Sequence, residues 1–190
     1  MKHMNKFDLI KKEIESILPN SPLDFELIHA NLVLKWVCKL KSDADEALKI
    51  AALSHDIDRA MTGITEKDLK DFSQINEFKK EHSIRSAKFI CDILIKYEYS
   101  PEVIEKVKHL VENHEFRGDT ETNILTDADS LAYFDYNIPS YLKRNGEERT
   151  KEKIKFMYIR LSEKAKDLVK EIEYTDKEIS DLVSVIIKSI

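Results

Sequence analysis

"KIAALSHDIDRA", residues 49–60, is the stretch on which the reading of this chain turns. Ile50, Ala51, Ala52 and Leu53 form a short apolar run of helical character that stops at His55-Asp56, with Asp58 and Arg59 close behind. Ser42 and Asp45 upstream resemble a capping pair that opens the same helix, so His55 closes it. A helix held along its body by packing and tipped with an imidazole and a carboxylate is a rigid mount for groups that bind metals or move protons. That use of the mount requires other His and Asp residues that a fold can bring to the same point.

Outward from this stretch the apolar spacing is helical nearly everywhere and strand-like almost nowhere, which predicts an all-α chain. Residues 6–17 read as an amphipathic helix through Phe7, Ile10, Ile14 and Ile17, ended by "PNSP". A second helix is expected over 24–40, with Leu27, Ile28, Leu32, Leu34 and Val37 inward. From Ile57 to Lys80 the chain turns polar and irregular, and reads as a long loop or lid with one short helix at 65–72. The next helix is expected from near His82 to Tyr97, and another is opened by Ser100 and Pro101 and closed near His114. Gly118 interrupts, 123–134 is helical and contains "LTDADSLAYF", and Pro139 and Gly146 bracket a connection. A charged helix over 150–173 follows, then a last helix capped by Thr175 with Glu178.

A chain of 190 residues with 42% hydrophobic and 35% charged residues, three Gly and four Pro fits one soluble helical domain, 1–190. The net charge of -5 supplies no general basic field, so bulk nucleic-acid binding is not expected. Cys38 and Cys91 fall in apolar helical patterns and read as reduced core thiols, neither a disulfide framework nor a zinc knuckle. No apolar run reaches the roughly 18 residues of a membrane span, which predicts a cytoplasmic protein with no membrane partner. "MKHM" at the start reads as a tag remnant before Met4, so His3 is set aside. Trp36, Tyr133 and Phe134 read as core aromatics, and the alternating charges of "KRNGEERTKEKIK" as a solvated helix face, with a homodimer contact as the runner-up.

Five histidines remain: His29, His55, His82, His109 and His114. Four of them sit at helix ends or on inward faces. His109 lies five residues before His114, about 140° round the helix, and reads as a solvated or packing residue. Neutral imidazole and carboxylate are the usual ligands of divalent transition metals, and the spacing is too wide for a local motif, so only a fold can unite them.

The order His29, then His55-Asp56, then an Asp within "TDADSL", in an all-helical chain, resembles the HD superfamily of metal-dependent phosphohydrolases. The resemblance spans about residues 24–135; it implies an HD-like metal-binding core over 20–137 and a C-terminal helical extension over 138–190. It implies His29, His55, Asp56 and Asp129 as ligands of one divalent ion, with Asp127 as the register alternative to Asp129. "EHSIRSA" and "VENHEF" are similar to segments of small stand-alone members of that superfamily, and imply that His82 and His114 bind a second ion or the substrate phosphate. The usual "HDIGK" stands here as "HDIDR", with Asp58 for Gly and Arg59 for Lys.

What the resemblance implies is a hydrolase of phosphomonoesters or phosphoanhydrides, acting on a nucleotide or similar small phosphorylated metabolite with one or two ions of Mn, Co, Ni, Fe, Zn or Mg. The ion would acidify water and polarise the phosphoryl group. Asp56, or Asp58 if it points inward, would orient or deprotonate that water, and Arg59 would neutralise the phosphate, with Arg85 and Lys88 as solvated rim charges. The alternative is a catalytically inactive, metal-stabilised module that binds a nucleotide or acts as a scaffold, which the charge introduced by Asp58 favours.

Overall fold

A computed structural model describes residues 5–190, Phe72 by its backbone alone; the tag-like segment with His3 and Met4 lies outside the described residues. The chain is an all-α multi-helix bundle, and no strand occurs among the described residues. Helix α3 (Glu46–Ser54) is its centre: Ala47, Leu48, Ile50, Ala51, Ala52, Leu53 and Ser54 are all buried, as expected of a helix that is apolar all round. It starts where Asp45 accepts the Leu48 amide at 3.0 Å.

Around it pack α1 (Lys6–Ile17), α2 (Glu26–Leu40), α6 (Pro101–Asn113) and α7 (Thr120–Ala132). In α2 the buried residues Glu26, His29, Ala30, Val33, Trp36, Val37 and Leu40 recur at three- and four-residue steps, one continuous stripe turned toward α3 and α7. Ile28 lies off that stripe and is exposed, contrary to the sequence reading. Trp36, Tyr133 and Phe134 are buried as expected. Cys38 is exposed and Cys91 only partly buried, so the cysteines are free thiols but not core residues.

The predicted loop over 57–80 is more ordered than its composition suggests. It begins with α4 (Ile57–Thr62), ended by Gly63 at φ 74°, a left-handed cap that suits a residue without Cβ. Two short 3-10 turns, Glu66–Asp68 and Phe72–Gln74, then lead into α5 (Ile75–Lys96). Helix α5 thus begins seven residues before His82, and its small buried residues Ser83, Ser86 and Ala87 let α4 approach closely, with the Asp58 amide donating to Ser86 Oγ at 3.2 Å.

Helix α7 continues through a π-helical turn, Tyr133–Asn137, into α8 (Ile138–Asn145). The expected helix over 150–173 is two, α9 (Glu147–Ile159) and α10 (Glu163–Val169), broken at Arg160–Ser162. The last helix is α11 (Lys177–Lys188), capped by Asp176 rather than Thr175. One apolar cluster runs from Ile10 to Ile186, so the C-terminal helices share the core of the rest.

Candidate metal centre

The C-terminal end of α3 meets α2, α5, α6 and α7 at one buried point. His29 comes from α2, His55 and Asp56 follow α3, His82 sits in α5, His114 caps α6, and Asp129 lies in α7. The four imidazoles form an unbroken line, with ring centroids 5.4 Å apart for His29 and His55, 5.2 Å for His55 and His114, and 5.9 Å for His114 and His82. All four are buried.

Each of these rings is held by Nδ1 to an oxygen. His55 meets the Ala52 carbonyl at 3.0 Å, His114 the Val111 carbonyl at 2.7 Å, His29 the Asn137 side-chain oxygen at 3.1 Å and His82 the Asp58 carboxylate at 3.0 Å. At His55 and His114 the carbonyl acceptors place the proton on Nδ1 and leave the Nε2 lone pair turned inward. At His29 and His82 a carboxylate faces Nε2 as well and raises the ring's pKa, so a second proton there competes with a metal ion. There Nε2 of His29 lies 3.1 Å from Asp129 Oδ1, and that of His82 lies 2.8 Å from Asp56 Oδ1. Nε2 of His114 lies 3.6 Å from the same Asp56 oxygen. His55 Nε2 is 3.6 Å from Asp56 Oδ2 and 3.8 Å from Asp129 Oδ1, and is buried with no hydrogen-bond partner.

A buried nitrogen without a partner costs desolvation energy that a bound cation offsets. Donor chemistry points the same way, since Nδ1 tied to a carbonyl or carboxylate is how proteins orient metal-binding imidazoles. Two sets of donor atoms each fall within 4.8 Å of one another: His29, His55 and Asp56, and Asp56, His82 and His114. These clusters can hold a metal ion, and Asp56 is common to both.

The electrostatics fit the same use. Burial alone would raise the Asp56 and Asp129 carboxyls, but Arg59 and His55 hold Asp56, and His29 and Arg160 hold Asp129, well below the ordinary carboxylate range. Both are ionised ligands in waiting. Burial pulls the His55 pKa down to about 4, which keeps its lone pair free. Burial opposes charge on His82 as well, but its bonds to Asp56 and Asp58 outweigh it and lift the ring to about 9.

The remaining expected residues are placed as follows. Asp127 does not face the centre: it takes Arg117 at 2.8 Å, the Ser162 amide at 3.1 Å and the Ser162 hydroxyl at 2.5 Å, and so ties α7 to the start of α10. Asp58 is fully buried, bonded to His82 on one side and to Arg85 Nε and Nη2, each at 2.9 Å, on the other. It stands behind His82, not beside its inner nitrogen. Arg59 is buried and bonded to Asp56, to Glu66 at 2.7 Å and to Glu26 at 3.4 Å, so its charge is turned to these three carboxylates. His109 is exposed and pairs with Asp119 at 2.6 Å, outside the centre as expected.

Sequence reasoning missed Glu26, Asn137, Glu115 and Arg160. Asn137 lies eight residues after Asp129, an offset of about 80° on a straight α-helix. The extra residue of the π-helical turn takes up that offset, and both side chains reach His29. Arg160 approaches Asp129 Oδ2 at 3.3 Å from the break between α9 and α10, which the charged pattern of that region concealed. Glu115 had the one available signal, its position next to His114.

Over residues 2–183 the sequence matches a family described as a domain of unknown function, DUF4202. Comparison with curated proteins and with solved structures finds no match.

Proposed function

This chain belongs to the DUF4202 family, and for it we propose a metal-dependent phosphohydrolase activity of HD type on a small phosphorylated metabolite such as a nucleotide. The observation that carries this reading is the buried, unpartnered His55 Nε2 set between the Asp56 and Asp129 carboxylates, with three more inward-facing Nε2 atoms around them. A divalent ion or ion pair, of which Mn, Co, Ni, Fe, Zn and Mg are the candidates, supplies a Lewis acid that draws electron density from a phosphoryl oxygen and acidifies water.

The chain's own residues divide the remaining tasks. His29, His55, Asp56, His82 and His114 would hold the metal, with Asp56 shared between the two donor sets, and Asp129 would join them from beside His29 and His55. Asp56, firmly ionised and hydrogen-bonded to His82, is the group that orients the attacking water. Asp58 is a positioning residue: it fixes the angle of His82, and its bonds to His82 and Arg85 keep it ionised against burial. Arg59 holds Asp56 in place through their contact, and its engagement with Glu26 and Glu66 argues against a direct grip on phosphate.

The inactive-module alternative drew its support from Asp58. With that carboxylate committed to His82 and Arg85, no charge from it faces the inner nitrogens. Phosphate release from nucleoside mono-, di- and triphosphates and sugar phosphates by the Mn-, Co- and Ni-loaded protein tests the reading, with Asp56→Ala as control. Turnover lost in the control supports it; stoichiometric metal with no turnover on any compound replaces it with the binding module.

A further inference from the structure

The phosphohydrolase reading leaves the phosphate without a cationic partner, since Arg59 is engaged by carboxylates and Arg85 by Asp58. Another cationic group lies against the centre, from segments outside the His and Asp pattern. Lys79 of α5, Lys153 of α9 and Arg160 beyond α9 surround a single ring, Phe156. Their charged groups are 5.0, 5.6 and 5.7 Å from its centroid, and the ring itself is 47% exposed.

Arg160 touches the site directly, and Lys79 reaches its edge. Arg160 reaches Asp129 Oδ2 at 3.3 Å and Glu115 at 3.6 Å, and Lys79 donates to Glu115 at 2.8 Å, next in sequence to His114. Lys153 is different: among the described residues it makes no hydrogen bond or ion pair and lies only against the Tyr133 and Phe156 rings. Burial, then the neighbouring Lys79 ammonium, pull its pKa below the ordinary lysine value against the opposing pull of Glu115 and Asp129. Arg160 Nε, like that of Arg59, is also buried without a partner.

Charge pairing points to the missing ligand. Glu115 pairs with Lys79 at 2.8 Å and with Arg160 at 3.6 Å, and Asp129 pairs with Arg160 at 3.3 Å, which leaves Lys153 as the cation of the three without a carboxylate partner. Its charge suits an anionic phosphoryl group. We propose that Lys153, flanked by Lys79 and Arg160 around Phe156, is the group that grips the substrate's phosphoryl group beside the metal centre. This rests on the phosphohydrolase reading for its placement, and it replaces Arg59 as the source of phosphate recognition.

Titration calorimetry with inorganic phosphate on the Mn-loaded full chain tests it, comparing wild type with Lys153→Gln, Lys153→Arg and Lys155→Gln. Lys155 projects from the other side of α9, is exposed, and controls for net charge. Loss of one charge-assisted contact predicts a roughly tenfold weaker phosphate affinity for Lys153→Gln. Lys153→Arg should stay near wild type, Lys155→Gln should not change, and metal content should be equal in all four. Wild type that binds no phosphate, or Lys153→Gln that binds it as tightly as wild type, overturns the subsite. Turnover measured alongside separates the two ideas. Hydrolysis with an indifferent Lys153 removes the subsite and keeps the enzyme; a Lys153-dependent phosphate site without hydrolysis on any substrate keeps the subsite and removes the enzyme.

Discussion

Asp58 accepts the Nδ1–H of His82 at 3.0 Å while Nε2 of the same ring lies 2.8 Å from Asp56. A carboxylate behind a histidine fixes which nitrogen is free to bind and raises its basicity. Asp58→Asn is therefore expected to weaken binding of the ion nearer His82 and His114 by about 10–100-fold, while the His29–His55 side keeps its ion. Two-site metal titration checks this. Equal loss at both sites, or none, would detach Asp58 from His82's role.

Asp129 and Asp127 are two residues apart on α7 and lie in different environments. Asp129→Asn should reduce metal content, because it removes the carboxylate facing both His29 and His55. Asp127→Asn should leave metal content intact and cost stability, about 1–3 kcal/mol, by leaving Arg117 and the start of α10 poorly paired. Metal analysis beside urea unfolding of both variants separates the roles; a reversed pattern would assign Asp127 to the metal.

Metal binding should also appear as stability. An ion that binds only the folded chain adds about 3 kcal/mol at a hundredfold excess over its Kd. Manganese is thus expected to raise the Tm of wild type, a chelator to reverse the rise, and His55→Ala to show a smaller rise, since Asp56, His82 and His114 remain. An identical rise in His55→Ala would place the ion elsewhere.

Glu26 supplies a pH dependence at the edge of the centre. Burial, only partly offset by Arg59, raises its pKa from 4.5 to about 7. The folded state holds this proton more tightly than the unfolded chain, so its stabilising contribution is complete below pH 4.5 and is lost as pH rises through 7. Glu26→Gln stays neutral, and Arg59 retains Asp56 and Glu66. The variant should gain on wild type between pH 5 and pH 8, by at most about 3 kcal/mol. Denaturant unfolding at the two pH values measures the gain; a difference independent of pH would mean that Glu26 is already ionised in the fold.

The helical class, the central apolar helix and its His55-Asp56 tip were legible in the chain, because a packed helix writes its period of 3.6 into the order of apolar residues. His29, His82 and His114 were legible too, since few side chains suit a buried polar centre and each lay at the edge of an apolar helical pattern. Helix limits around His82 and Arg160 were not, because short polar segments carry little periodicity and tertiary contacts set where they turn.

The sequence by itself determined the bundle and most of the residue types at its centre. Only the tertiary structure decided what the charges there do. Asp129 faces the histidines and Asp127 does not, Asp58 stands behind His82, Arg59 is taken up by three carboxylates, and Arg160 and Lys79 arrive from the break after α9 and from α5. A charge acquires its role from the partner within about 3 Å. For His29 and Asp129 that partner is 100 residues away along the chain, a distance that local pattern does not span.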